Sequence, residues 1–164
     1  MFVRAATFRC MSQEGRKTFA RNKKALHDYH VLETWEAGIA LTGPEVKSVR
    51  AGKASLGESF ARVDRGEVWL HGMHISPYDP ASIWNTDPVR PRKLLLHTRE
   101  IRKLIGGTEQ KGLTLVPLEL YLRNGRIKVA LALVRGKKLY DKREDLKKKS
   151  AEREVQRAMS RSRS

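Results

Sequence analysis

The sequence predicts a mainly β protein: a small antiparallel barrel with two or three short flanking helices and a basic C-terminal tail. Three observations carry this. Apolar residues alternate at period two in several short segments bounded by turn residues, the mark of half-buried strands. Helical spacing is confined to short stretches capped by Gly and Pro. The last 28 residues change composition abruptly, with eleven Lys and Arg against five Asp and Glu and no Gly or Pro.

In chain order, residues 1–21 are polar and basic without a clear period, and read as a mobile N-terminal extension. Strand character starts at Tyr29, with a bend at Trp35-Glu36-Ala37-Gly38 and a second strand to about Leu41. Gly43-Pro44 then opens a short helix. Pro fits its first turn because it has no N–H to lose, Glu45 suits the N-terminal dipole, Val46 and Val49 share one face, and Gly52 stops it. Ser59–Asp64 and Glu67–His74 form a hairpin around Asp64-Arg65-Gly66, with Phe60, Val63, Val68, Leu70 and Met73 as its apolar content. Residues 76–91 hold four of the six prolines and form a long irregular loop. A second helix follows over Arg99–Ile105, capped by Thr98 and ended by Gly106-Gly107. Leu113–Arg123 and Ile127–Val134 are strands joined by Asn124-Gly125, a pair that tolerates positive φ. Pro117 marks an edge or a bulge.

About six strands with two short helices over residues 22–136 fit a closed or nearly closed barrel, because closure removes exposed sheet edges. The oligonucleotide-binding barrel (OB-fold) is the nearest architecture. Residues 137–164 are helix-favouring, but the stripe Ala151, Val155 and Ala158/Met159 is too thin to dock on a core. The expectation is a tail disordered when free and helical on an anionic surface.

Charge narrows the partner. The 164 residues carry 34 Lys+Arg and 18 Asp+Glu, a formal net charge of +16. That excess points to a polyanion, nucleic acid before anionic membrane. No apolar run approaches the ~20 residues of a membrane span. The single cysteine, Cys10, excludes an internal disulfide and fits a reducing compartment. His71 and His74, three apart on a strand, face opposite ways and lack an acidic partner set, so no metal site is expected. Nucleophile elbow, phosphate loop and clustered carboxylates are all missing, and no catalytic residue or cofactor is expected.

The candidate phosphate contacts are Arg50, Lys53, Arg92 and Lys93. Glu36, an acid within basic surroundings, either accepts a base or ribose hydrogen bond or pairs with a nearby Lys or Arg. On the residues alone, Leu95 reads as a plain core leucine. In the tail, Lys137 and Lys138 are the leading candidates for phosphate.

Five motifs then come in order: N-K-K-A-x-H-D-Y at 22–29, E-A-G-I-A-L-x-G-x-E-V-K-S-V-R-A-G-K at 36–53, D-P-x-R-x-R-K-L-L-L at 87–96, K-G-L-T-L-V-P-L at 111–118 and G-K-K-x-x-D-K-R at 136–143. Together they resemble the SsrA-binding protein family of bacterial trans-translation, over roughly residues 22–159. The resemblance implies a cytoplasmic, non-enzymatic RNA-binding protein with an OB-like barrel. It implies binding to the tRNA-like domain of transfer-messenger RNA, and delivery of that RNA to stalled ribosomes. Elongation factor Tu and alanyl-tRNA synthetase are partners only through the RNA. By matching position, Asn22, Glu36 and Leu95 fall where the family contacts the tRNA-like domain. Gly136, Lys137, Lys138, Asp141, Lys142 and Arg143 fall where its tail acts near the ribosomal decoding centre, in the empty message channel. Tyr140 is placed to stack on a base there. The rival reading is a ribosomal or ribosome-assembly protein bound to structured ribosomal RNA, which would resist high-salt washing.

Overall fold

The structure, a computed structural model, describes residues 16–79, 83, 86–109 and 112–161; Cys10 and Trp84 lie outside them. The chain runs β1 (Lys17–Arg21), α1 (Lys23–Asp28), β2 (Tyr29–Ile39), α2 (Gly43–Arg50), β3 (Ala54–Ser55), β4 (Phe60–Asp64), β5 (Glu67–His71), β6 (His74–Ile75), β7 (Arg92–Leu95), α3 (Thr98–Thr108), β8 (Leu113–Arg123), β9 (Arg126–Gly136) and α4 (Leu139–Arg161).

All pairings are antiparallel, in the order β1-β8-β4-β5-β7-β2-β9. The further pairing of β8 with β9 closes β8-β4-β5-β7-β2-β9 into a ring. β1 and β4 share one edge of β8 end to end: β1 covers Glu119–Leu122, and β4 meets Leu115. Between them the β8–β9 register shifts at Pro117, the bulge that a residue without an N–H favours. The β8–β9 hairpin turns on Asn124 (φ 50°) and Gly125 (φ 73°), as that dipeptide predicts.

The barrel interior is packed by Ala37, Val68, Leu70, Leu94, Leu115, Leu120, Val129 and Leu131, with Val49 of α2 and Leu104 of α3 plugging it. A smaller cluster lies outside, where Ala25 of α1 covers Val116, Leu118, Ala132 and Val134. That cover buries both faces of β9 over 131–134, so the expected half-buried strand is correct only nearer its start.

Several expected boundaries move. Lys17–Arg21 is a strand, not part of a mobile extension, because it completes the edge of β8. The bend expected at 35–38 is absent: β2 is continuous and bulges between Val31 and Glu33. Gly106 and Gly107 stay inside α3. A Cβ on Gly107 would lie 2.7 Å from Leu133 Cδ2, so this glycine serves close packing rather than termination. The expected tail is a helix, α4, starting two residues after β9. Its Lys, Glu, Leu, Ala, Arg and Gln residues are strong helix formers, and no Gly or Pro interrupts them. Leu146, Val155 and Met159 are exposed along it.

Candidate nucleic-acid interface

The expected contact residues occupy three different environments. Glu36, Arg50 and Leu95 come together in an open groove. The C-terminal half of β2 and the end of β7 form its floor, with α2 on one side and the start of β9 on the other. Ile39, Leu41, Val46 and Ile127 give it apolar walls, and Arg126, Lys128 and His97 add polar groups at its rim. Gly38 keeps it open: a Cβ there would stand 3.2 Å from Leu95 Cβ. Leu95 is 54% exposed, so it is not a core leucine; strand alternation puts Leu94 inside and Leu95 outside.

Glu36 is held within this rim rather than left free. Its Oε2 accepts from Tyr121 Oη (2.7 Å) and Arg123 Nη1 (2.8 Å), and Lys128 Nζ lies 3.8 Å from Oε1. Burial pushes its carboxyl pKa up, but the bonds from Tyr121 and Arg123 outweigh this and leave it lowered. The same arrangement raises the Tyr121 phenol, first through burial and then through the neighbouring carboxylate. Of the two readings of Glu36, the ion pair is the one present in the chain. Tyr121, Arg123 and Lys128 escaped the sequence reading. The available signal was the Asn124-Gly125 turn, which sets the β8–β9 register and so places Lys128 opposite Tyr121.

Arg92 requires correction. It is fully buried. Its Nε and Nη2 donate to Glu45 Oε1 at 3.0 and 2.9 Å, and Nη1 donates to the Met73 carbonyl at 2.6 Å. It is a structural cation, not a phosphate contact. Strand alternation contained the clue, because Arg92 shares its face with the interior Leu94. Arg90 joins the same carboxylate through Nε at 3.0 Å and Nη2 at 2.6 Å, while the Thr42 N–H donates to Oε2 at 2.9 Å. Burial alone would raise the Glu45 pKa, but these donors hold it down at about 2. The cluster ties the end of the proline-rich loop to α2.

Asn22 is also a scaffold residue. It is buried and caps α1, accepting from Ala25 N at 2.9 Å, while Nδ2 donates to the carbonyls of Leu56 (2.9 Å) and Pro117 (3.2 Å). It bridges the gap between β1 and β4 along β8, and both amide donors are committed, so it does not offer them to RNA. Lys93 is half-exposed and pairs with Glu67, whereas Arg50 and Lys53 are exposed.

The tail residues start beside α1. Gly136 ends β9, and Lys137 N donates to the Asp28 carbonyl at 2.8 Å. Lys137 Nζ pairs with Asp145 and its side chain is only 10% exposed, so of the two expected phosphate-binding lysines only Lys138 stands open. Lys142 pairs with Asp28 at 3.0 Å, Asp141 meets His30 at 3.4 Å, and Arg143 is exposed. The side chain of Tyr140 lies outside the described residues. Among the described residues, no three metal-ligating side chains converge, and no helix is long and apolar enough to cross a membrane.

The SmpB protein family model matches residues 19–161. The chain is 57% identical over 149 residues to the SsrA-binding protein of Acetivibrio thermocellus, covering 91% of this chain and 97% of that one. It is 61% identical over 142 residues to that of Anoxybacillus flavithermus (87% and 92%), and 59% identical over 142 residues to that of Bacillus subtilis (87% and 91%). A solved structure described as "tmRNA-SmpB: a journey to the center of the bacterial ribosome" aligns with a TM-score of 0.62 at 57% identity, over 73% of this chain and 84% of that one. With the family model spanning barrel and tail alike, the chain belongs to the SmpB family of SsrA-binding proteins.

Proposed function

We propose that this chain binds the tRNA-like domain of transfer-messenger RNA and delivers it to stalled ribosomes for trans-translation. The carrying observation is the groove that gathers Glu36, Arg50 and Leu95 on the barrel of a strongly cationic chain. Its form suits a prefolded RNA, whose sequence is read at unstacked loop bases while its helices are read by shape and backbone. Leu95 and the apolar walls take the face of an exposed nucleobase. Glu36 orients Arg123 and Lys128 and neutralises part of their charge, and Arg50 and Lys53 reach phosphates. Elongation factor Tu and alanyl-tRNA synthetase act through the RNA. The protein works as a cytoplasmic binding factor, not an enzyme.

In this reading α4 occupies the empty message channel near the decoding centre. Lys138 and Arg143 meet ribosomal RNA first, while Lys137 and Lys142 leave their carboxylates to do so. The relatives' shared name of SsrA-binding protein, and the solved structure that joins SmpB to tmRNA and the ribosome, support the assignment. The test is competition between transfer-messenger RNA and bulk tRNA at physiological salt. A clear preference for the former is expected, and equal binding refutes the proposal. Neutralising about six phosphates should weaken binding by ~10³ between roughly 50 and 200 mM salt.

A further inference from the structure

The outer face of β4, β5 and β7 carries aromatic side chains where a solvated sheet face ordinarily carries polar ones. Phe60 is 48% exposed. Its ring stacks on that of its cross-strand partner His71, with centroids 5.4 Å apart and planes 17° from parallel. In the next outward-facing pair, Arg62 stands opposite Trp69. On the other side of β5, Trp69 stands opposite Lys93. Trp69 is half-buried and, unlike the half-buried Trp35, does not pack against the barrel core. Phe60, Arg62, Trp69, His71 and Lys93 thus alternate rings with cations across three adjacent strands, a width of about two strand spacings or roughly 10 Å. The acids of this face, Asp64 and Glu67, lie together at its turn end, and Lys93 engages Glu67.

We propose that this face is a second RNA-contact surface, a stacking platform for unpaired nucleobases. Nucleobases stack on exposed aromatic rings with little sequence preference, and Arg or Lys between the rings hold the phosphates that join them. The platform is continuous with the groove. Lys93 and Leu95 are two residues apart on β7 and face the same way, so Lys93 belongs to the platform and Leu95 to the groove. A strand leaving the groove across β7 runs directly onto Trp69 and Phe60. The platform rests on the chain being an RNA-binding protein, but it asks for unpaired bases rather than the tRNA-like fold.

The experiment uses the full chain and two probes: a labelled eight-nucleotide oligoadenylate and the tRNA-like domain of transfer-messenger RNA. Phe60→Leu and Trp69→Leu keep apolar bulk but remove the aromatic face. Each should weaken oligoadenylate binding about tenfold with unchanged melting temperature, whereas Phe60→Tyr and Trp69→Phe should bind as the wild type does. Leu95→Glu is the groove control. Unchanged oligoadenylate affinity in both leucine variants overturns the platform and leaves the face to a protein partner; the proposed function stands if the tRNA-like domain still binds. Weakening by leucine, in a wild type that shows no affinity for the tRNA-like domain, supports the platform and removes the proposed function.

Discussion

Glu45→Gln should be among the most damaging single-atom changes in the barrel. The side chain of Glu45 is 6% exposed and that of Arg92 is 0% exposed, so neither charge has water to fall back on. Gln leaves the shape nearly intact but removes the countercharge of Arg92 and Arg90. Removing one partner of a buried pair costs about 3–5 kcal/mol, because the other charge stays buried and uncompensated. The carboxyl pKa leads to a similar figure: a fall from 4.5 to about 2 corresponds to roughly 3 kcal/mol of linkage. The sign follows from the depressed folded-state pKa. This stability is present above the unfolded value near 4.5 and is lost as pH falls towards 2. Urea unfolding at pH 7, followed by circular dichroism, should show the loss, with a melting temperature lower by about 10 °C. The gap between wild type and Glu45→Gln should narrow steadily below pH 4.5. Glu45→Leu with Arg92→Met should recover much of the stability, since apolar replacement of a buried pair is often neutral. A loss under ~1 kcal/mol at pH 7, or a gap independent of pH down to 2, would refute the reasoning.

Other outcomes follow from single contacts. Gly72→Ala should destabilise by about 1–3 kcal/mol in chemical unfolding, because Gly72 has φ +72° and the new Cβ would sit 2.7 Å from the Glu58 carbonyl oxygen. Asn22→Ala should cost about 1–3 kcal/mol by stranding the Leu56 and Pro117 carbonyls and uncapping α1. RNA affinity measured on its folded fraction should be unchanged, and a large loss there would restore Asn22 as a contact. Leu95→Glu should leave the melting temperature near the wild-type value, yet weaken binding to the tRNA-like domain tenfold or more, about 1.4 kcal/mol at least. The Asp28 carboxyl is held below its ordinary range by His27 first and Lys142 next, so it keeps its charge and its grip on Lys142 through the ordinary carboxylate range and releases it only on stronger acidification. Asp28→Asn should therefore speed amide exchange over residues 139–145 at neutral pH while leaving the barrel amides protected.

Elements whose local chemistry decides their structure were legible. Gly43-Pro44-Glu45 defines α2 through its capping chemistry, Asn124-Gly125 fixes the β8–β9 hairpin, and Pro117 marks its bulge. What escaped depends on partners distant in the chain. Lys17–Arg21 shows little periodicity, and becomes a strand only because β8 offers an open edge. α1 is six residues long, too short to announce itself without the Asn22 cap and the β8 surface beneath it. In the site, composition cannot separate a buried arginine from an exposed one. Arg92 and Arg50 look alike until alternation with Leu94 is applied. The run Leu94-Leu95-Leu96 hid the single leucine that turns outward. Glu36 showed itself as an acid in basic surroundings, but its partner Tyr121 lies 85 residues away.

Only Lys137 and Lys138 separate the last strand of the barrel from α4. A 23-residue helix is about 35 Å long, and such a short joint makes it a lever arm whose bearing is set by the orientation of the barrel. A tilt of about 10° at the joint would sweep the far tip through roughly 6 Å. The attitude of the body on its RNA thereby sets where the distal end points, and an insertion of even one or two residues after Gly136 would misdirect it with every contact residue intact.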